Sequence, residues 1–237
     1  MTTIYDFLID LYQFHAESMQ NSEEIRTFAH MNENLQQTKW PANVILADAD
    51  YIDRVAFDLI VNFERMIGRP IPKADLARWI DCVALDGGMR EKTEADMQET
   101  MVALIHSKGK KRLDHFVPDD FEQHLNGMAF NDTLGEFTLS AFPVEEMVSL
   151  EDFFADALQM ICAQPEVRRI MVIPNAEDER VYYKVREVLR NADNEKCVTV
   201  FAMQPQTGGR FQQEILGYSL MAALGIRSEE IHPQESL

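Results

Sequence analysis

Short apolar runs recur along this chain, each closed by a polar or glycine-rich break and most followed by a stretch with helical spacing. The runs are Val44 to Ala47, Cys82 to Leu85, Met101 to Ile105, Arg169 to Ile173 and Cys197 to Met203. A short apolar run between turn signals reads as a strand buried on both faces. Between the runs, Val55, Ala56, Leu59, Ile60, Phe63 and Ile67 mark one face of a helix that stops at Gly68-Arg69-Pro70. Ala74 to Trp79 and Glu91 to Gln98 read as shorter helices. Ser149 is placed to cap a helix whose core face is Phe153, Phe154, Ala157, Leu158 and Ile161. Asp178 to Asn191 forms the next helix, and Phe211, Ile215, Leu216, Leu220 and Leu224 line the last. Such alternation implies right-handed βαβ units. The expected fold class is α/β, a three-layer sandwich with a mainly parallel sheet of about five or six strands.

Three regions depart from this rhythm. Residues 1–41 read as an N-terminal helical extension, with Ile4, Phe7, Leu8, Leu11 and Phe14 at helical spacing and a break at Lys39-Trp40-Pro41. It is expected to pack on the α/β domain of residues 42–227 or to serve a homodimer interface. Residues 107–148 read as an irregular insertion, a loop over 113–135 followed by an edge strand in which Phe137, Leu139 and Ala141 alternate with polar residues. Residues 228–237 read as a polar tail.

Composition narrows the setting. Forty acidic residues against 22 basic ones give a net charge of −18. That surface repels polyanions, which disfavours a nucleic-acid partner without forbidding a local basic groove. No apolar stretch approaches the roughly 18 residues of a membrane span, and the N-terminus lacks the features of a signal peptide. Cys82, Cys162 and Cys197 have neither disulfide parity nor metal spacing, as expected of free thiols in the cytoplasm.

In an open α/β sheet, ligands bind beyond the carboxyl ends of the strands, so the polar breaks there are the candidate sites. Asp48, Asp50 and Asp53 follow the first run; if the strand continues, Asp48 and Asp50 share a side and could hold an ion, while Asp53 caps the helix. Asp86-Gly87-Gly88 ends the second run, and Asn175 and Asp178 follow the fourth. Thr207, Gly208, Gly209 and Arg210 read as an anion site at a helix start, although an ordinary turn would use the same residues. Lys108, Lys110, Lys111 and Arg112, beside His106, form a basic run suited to phosphate or to solvent. Walker, Gly-x-Gly-x-x-Gly and Gly-x-Ser-x-Gly signatures are all missing.

The whole chain, above all Ile45 to Asp58 and Asp81 to Gly88, resembles an uncharacterised bacterial family of unknown function. More distantly, its order of elements is similar to that of PIN and NYN ribonuclease domains. That resemblance implies a magnesium or manganese site built on Asp48, Asp50 and Asp86, with Asp178 completing a catalytic set that activates water against a phosphodiester. The later Gly/Ser-Asp-x-Asp signature of those nucleases is replaced here by Pro174-Asn-Ala-Glu-Asp178.

Two readings follow. One is a non-catalytic protein that binds a partner or small ligand at the C-terminal edge of its sheet. The other is a metal-dependent phosphodiesterase, and only that reading requires magnesium or manganese.

Overall fold

The computed structural model describes residues 40–91, 98–146 and 148–231. The N-terminal extension and most of the expected Glu91 to Gln98 helix lie outside the described residues.

A seven-stranded sheet forms the middle layer, in the order β5-β6-β3-β1-β7-β8-β9. Its strands are β1 (Asn43–Asp48), β3 (Glu99–Ser107), β5 (Ala129–Asp132), β6 (Gly135–Val144), β7 (Arg169–Ile173), β8 (Cys197–Ala202) and β9 (Gln212–Ile215). Two short strands outside it, β2 (Ala74–Asp75) and β4 (Phe116–Val117), pair with each other. All neighbours in the main sheet are parallel except β5 and β6. Both edges are four-residue strands, β5 and β9.

One face of the sheet is covered by α1 (Ala49–Ile67), α2 (Leu76–Asp86) and α5 (Leu216–Ala223). There Ile45, Ala47, Leu104, Met171 and Phe201 pack against Ile52, Trp79, Val83 and Leu220. The other face carries α3 (Leu150–Ala163) and α4 (Glu179–Arg190), where Leu46, Ile105 and Val172 meet Phe154, Leu158 and Val185. Side chains alternate along a strand, so the consecutive apolar residues of β1 supply both cores at once. The three-layer α/β sandwich expected from the sequence is the observed architecture. A short helix, α6 (Ser228–Ile231), begins what read as a polar tail.

Three expectations for individual elements fail. Cys82 to Leu85 is not a strand: it is the second half of α2, whose buried residues Leu76, Trp79, Ile80, Val83 and Ala84 keep helical spacing throughout. The strand through Phe137 is not at the edge, because β6 pairs with β3 along nine residues and β5 takes the outer position. The residues from Gln212 to Ile215 form β9, so the last long helix starts only at Leu216.

Two crossovers of the sheet run without an α-helix. From β3 to β6 the chain passes through a strap containing β4 and one π-helical turn, Phe121–Leu125, with Leu113, Phe116, Phe121 and Leu125 buried on the α1 side. From β8 to β9 it runs through residues 203–211, with Phe211 packed on the α4 side.

Candidate functional site

Taken in chain order, the six parallel strands lie 3-2-1-4-5-6 across the sheet, so the winding reverses between β1 and β7. At such a reversal the neighbouring connections diverge to opposite faces and leave a notch beyond the strand ends. Asp48 closes β1 at this point, and Pro174 and Asn175 follow β7.

The chain passes from β1 to α1 with no intervening loop, and Asp48 makes the turn. Its backbone is extended and its Oδ1 accepts the Tyr51 amide at 2.9 Å, which satisfies one of the free donors at the helix start. Asp48, not Asp53, is therefore the cap. It is only 5% exposed, and burial pushes its carboxyl up to about 7, with the charge of Asp50 adding to the rise. The Tyr51 amide and the Arg54 guanidinium pull in the opposite direction. Near neutral pH this group can therefore either donate or accept a proton.

Arg54 spans the notch. Its guanidinium lies 5.3 Å from the Tyr51 ring centroid, donates to Glu177 at 3.0 Å and reaches Asn175 at 3.3 Å. The Tyr51 hydroxyl is buried, and burial together with the Glu177 carboxylate raises its pKa against the pull of the Met203 backbone. Of these residues, Tyr51, Arg54 and Glu177 were not among the site residues expected from the sequence. The spacing Asp48, Tyr51, Arg54 at i, i+3 and i+6 along a helix start is the signal that groups them.

The other two aspartates of the segment point away from this notch, to the strap. Asp50 lies in the first turn of α1, not in the strand, so it does not align with Asp48 as alternate strand residues would. Its Oδ2 accepts the Ser107 amide at 3.0 Å and the Ser107 hydroxyl, while Oδ1 is buried with no hydrogen-bond partner. Asp53 is 3% exposed and accepts the His115 amide and the Lys110 ammonium, each at 2.8 Å.

These contacts also account for most of the basic run. Lys110 is held by Asp53, Lys108 by Glu145, and Arg112 lies 3.6 Å from Asp114. His106 turns inward: it is buried, its ring stacks on Phe121 with centroids 3.7 Å apart, and burial lowers its pKa. The run is a fastened strap, and its charges are not gathered on a phosphate site.

The remaining expected site residues are dispersed. Asp86 ends a helix, and the following Gly87 accepts a hydrogen bond from Arg169, which pairs with Asn43 at the opposite end of β1. Burial and the Glu214 charge raise the Asp86 pKa. Gly87 serves packing: a Cβ there would come within 2.5 Å of the Met171 side chain. Asp178 caps α4, and its bonds to the Arg180 side chain and amide hold its carboxyl at about 2. Thr207, Gly208, Gly209 and Arg210 lie exposed in the β8–β9 crossover, ahead of a strand and not at a helix start.

Asp48, Asp50 and Asp86 are thus not brought together, and among the described residues no three His, Cys, Asp or Glu side chains are grouped to hold a metal ion. No described helix is long and apolar enough to cross a membrane.

Comparison with known proteins places this arrangement in a family. A family model described as "Family of unknown function (DUF6621)" matches residues 37–231, which spans the whole sheet and all the helices above. The chain belongs to this family. No curated protein and no solved structure gives a significant match. The family match runs from just before Trp40 to the end of α6, so the switch-point notch, the strap and the β8–β9 crossover all lie inside the family unit.

Proposed function

We propose that this chain binds a small polar ligand, without bond-breaking chemistry, in the notch between β1 and β7 at the C-terminal edge of its sheet. The observation that carries the reading is Asp48: a buried carboxyl at the topological switch point, poised to exchange a proton near neutrality. Nearby lie the Asn175 amide and the Arg54 guanidinium. Asp48 and Glu177 set two carboxyls against the one guanidinium of Arg54, which suits hydroxyl or amine groups better than phosphate. The three cysteines form no disulfide, which fits a reducing compartment such as the cytoplasm. Under this reading residues 1–41 serve a partner or a second copy of the chain.

The competing reading is a PIN/NYN-like phosphodiesterase dependent on magnesium or manganese. It needs Asp48 and Asp50 to share an ion, yet Asp50 is engaged by Ser107, and among the described residues no third ligand is grouped with them. Two titrations separate the readings. In amide NMR spectra, uridine and ribose should shift the signals of residues 48–54 and 175–177, and Asp48→Ala should abolish the response. Calorimetry with magnesium and manganese should give no heat that depends on Asp48. A metal-binding signal lost in Asp48→Asn would overturn the binding reading in favour of the phosphodiesterase.

A further inference from the structure

The β8–β9 crossover builds a second site, where it meets α4 at the border of the core on that face. Arg186 and Arg190 of α4 and Arg210 of the crossover line one cleft of about 470 Å3, together with Leu189, Gly209 and Phe211. None of these lining residues is acidic. The protein carries a net charge of −18, so a cluster of three guanidiniums there is a local inversion of its field.

The cluster is supported from below. The Arg186 guanidinium lies 5.9 Å from the Tyr182 ring centroid, which fixes the direction of the side chain. The crossover closes tightly on it: Gly208 has φ +77°, and a Cβ at that position would come within 2.7 Å of the Arg186 guanidinium. The positive φ favours glycine here, and the missing side chain leaves room for the guanidinium beside the loop. Arg190 pairs with Glu187 at 2.9 Å, while Arg186 and Arg210 have no ion pair among the described residues.

From this geometry we infer that the cleft between α4 and the β8–β9 crossover binds a phosphorylated small molecule. Its phosphates lie on Arg186, Arg210 and Arg190, and its organic part lies on Leu189 and Phe211. Guanidinium forks match phosphate oxygens in pairs, which a lone surface charge does not. The cleft volume falls in the range of small-ligand sites. The ligand is small and not a nucleic acid, because the acidic surface around the cleft opposes an extended polyanion.

Calorimetry with ADP at low ionic strength tests this inference. Wild-type protein should bind ADP saturably at one site. Arg210→Gln and Arg186→Gln should each weaken binding about tenfold, the loss of one charged hydrogen bond. Arg112→Gln, which removes an exposed cation on the strap, should bind like wild type. No saturable binding, undiminished affinity in Arg210→Gln, or an equal loss in Arg112→Gln would overturn the proposal. So would tighter binding of a single-stranded RNA 12-mer than of ADP. Because the notch at Asp48 is built from other residues, this result is independent of the uridine and ribose titration.

Discussion

The two crossovers without an α-helix treat their cations in opposite ways. In the β3–β6 strap, Lys110 is held between Asp53 and Asp50, and Lys108 is fastened to Glu145. Arg210 in the β8–β9 crossover has no ion pair among the described residues and faces a cleft shared with two more arginines. Density of basic residues therefore points to the wrong place. In the strap, Lys110 meets the buried Asp53 of α1 and Lys108 meets Glu145, so these charges serve cohesion. The crossover holds a single cation, Arg210, and it remains available. Availability of charge, decided by partners distant in sequence, separates a fastening from a site.

The largest test of this contrast is at the fastening. Asp53→Ala should leave the His115 amide and the Lys110 ammonium without their acceptor, costing about 3 kcal/mol in urea unfolding. A loss below about 1 kcal/mol would mean the strap is held by its apolar residues alone.

Asp48→Asn should act next in size and with the opposite sign above neutral pH. The folded protein holds the Asp48 proton up to about 7, whereas the unfolded chain releases it near 3.8. Folding is therefore favoured by this group below pH 3.8, and that contribution is lost as pH climbs to about 7. Asparagine keeps the cap and carries no charge. The variant should match wild type near pH 4 and exceed it at pH 8 by on the order of 2 kcal/mol. Parallel pH profiles for the two proteins would remove Asp48 as a buried titrating group.

The smallest effect should come from the crossover. Arg210→Gln should change stability by less than about 0.5 kcal/mol, as expected of a surface residue with no structural partner. A larger loss in the same urea series would make Arg210 a fastening like Lys110 and erase the contrast.

Much of the fold was legible because β1, β3, β7 and β8 are buried on both faces through their middles and carry apolar runs there. The same criterion misled at Cys82 to Leu85, where four apolar residues suit a strand as well as a helix. A longer window from Leu76 carries the helical period that decides it. The alternation of Thr138 and Ser140 with Phe137, Leu139 and Ala141 suggested an edge at β6, but Ser140 is buried and β5 covers that border. Placing Asp86 in the site followed from the strand misreading, since a residue at a helix end lost its assumed position on the rim. Asp48 was legible because a polar residue ending an apolar run marks the rim. The partners of Asp53 were not, since Lys110 lies 57 residues away and only the folded strap brings them together.

The lengths of the edge strands bear on how this protein behaves in a crowded solution. The inner strand β3 is nine residues long, but the two open borders of the sheet, β5 and β9, offer four residues each. Three of the four residues of β9, Gln212, Gln213 and Glu214, are exposed, and Glu214 lies within electrostatic reach of Asp86. A foreign strand seeking to extend the sheet would find few free amides and an acidic border. The sheet can therefore keep long strands inside while its margins discourage one molecule from pairing edge to edge with the next.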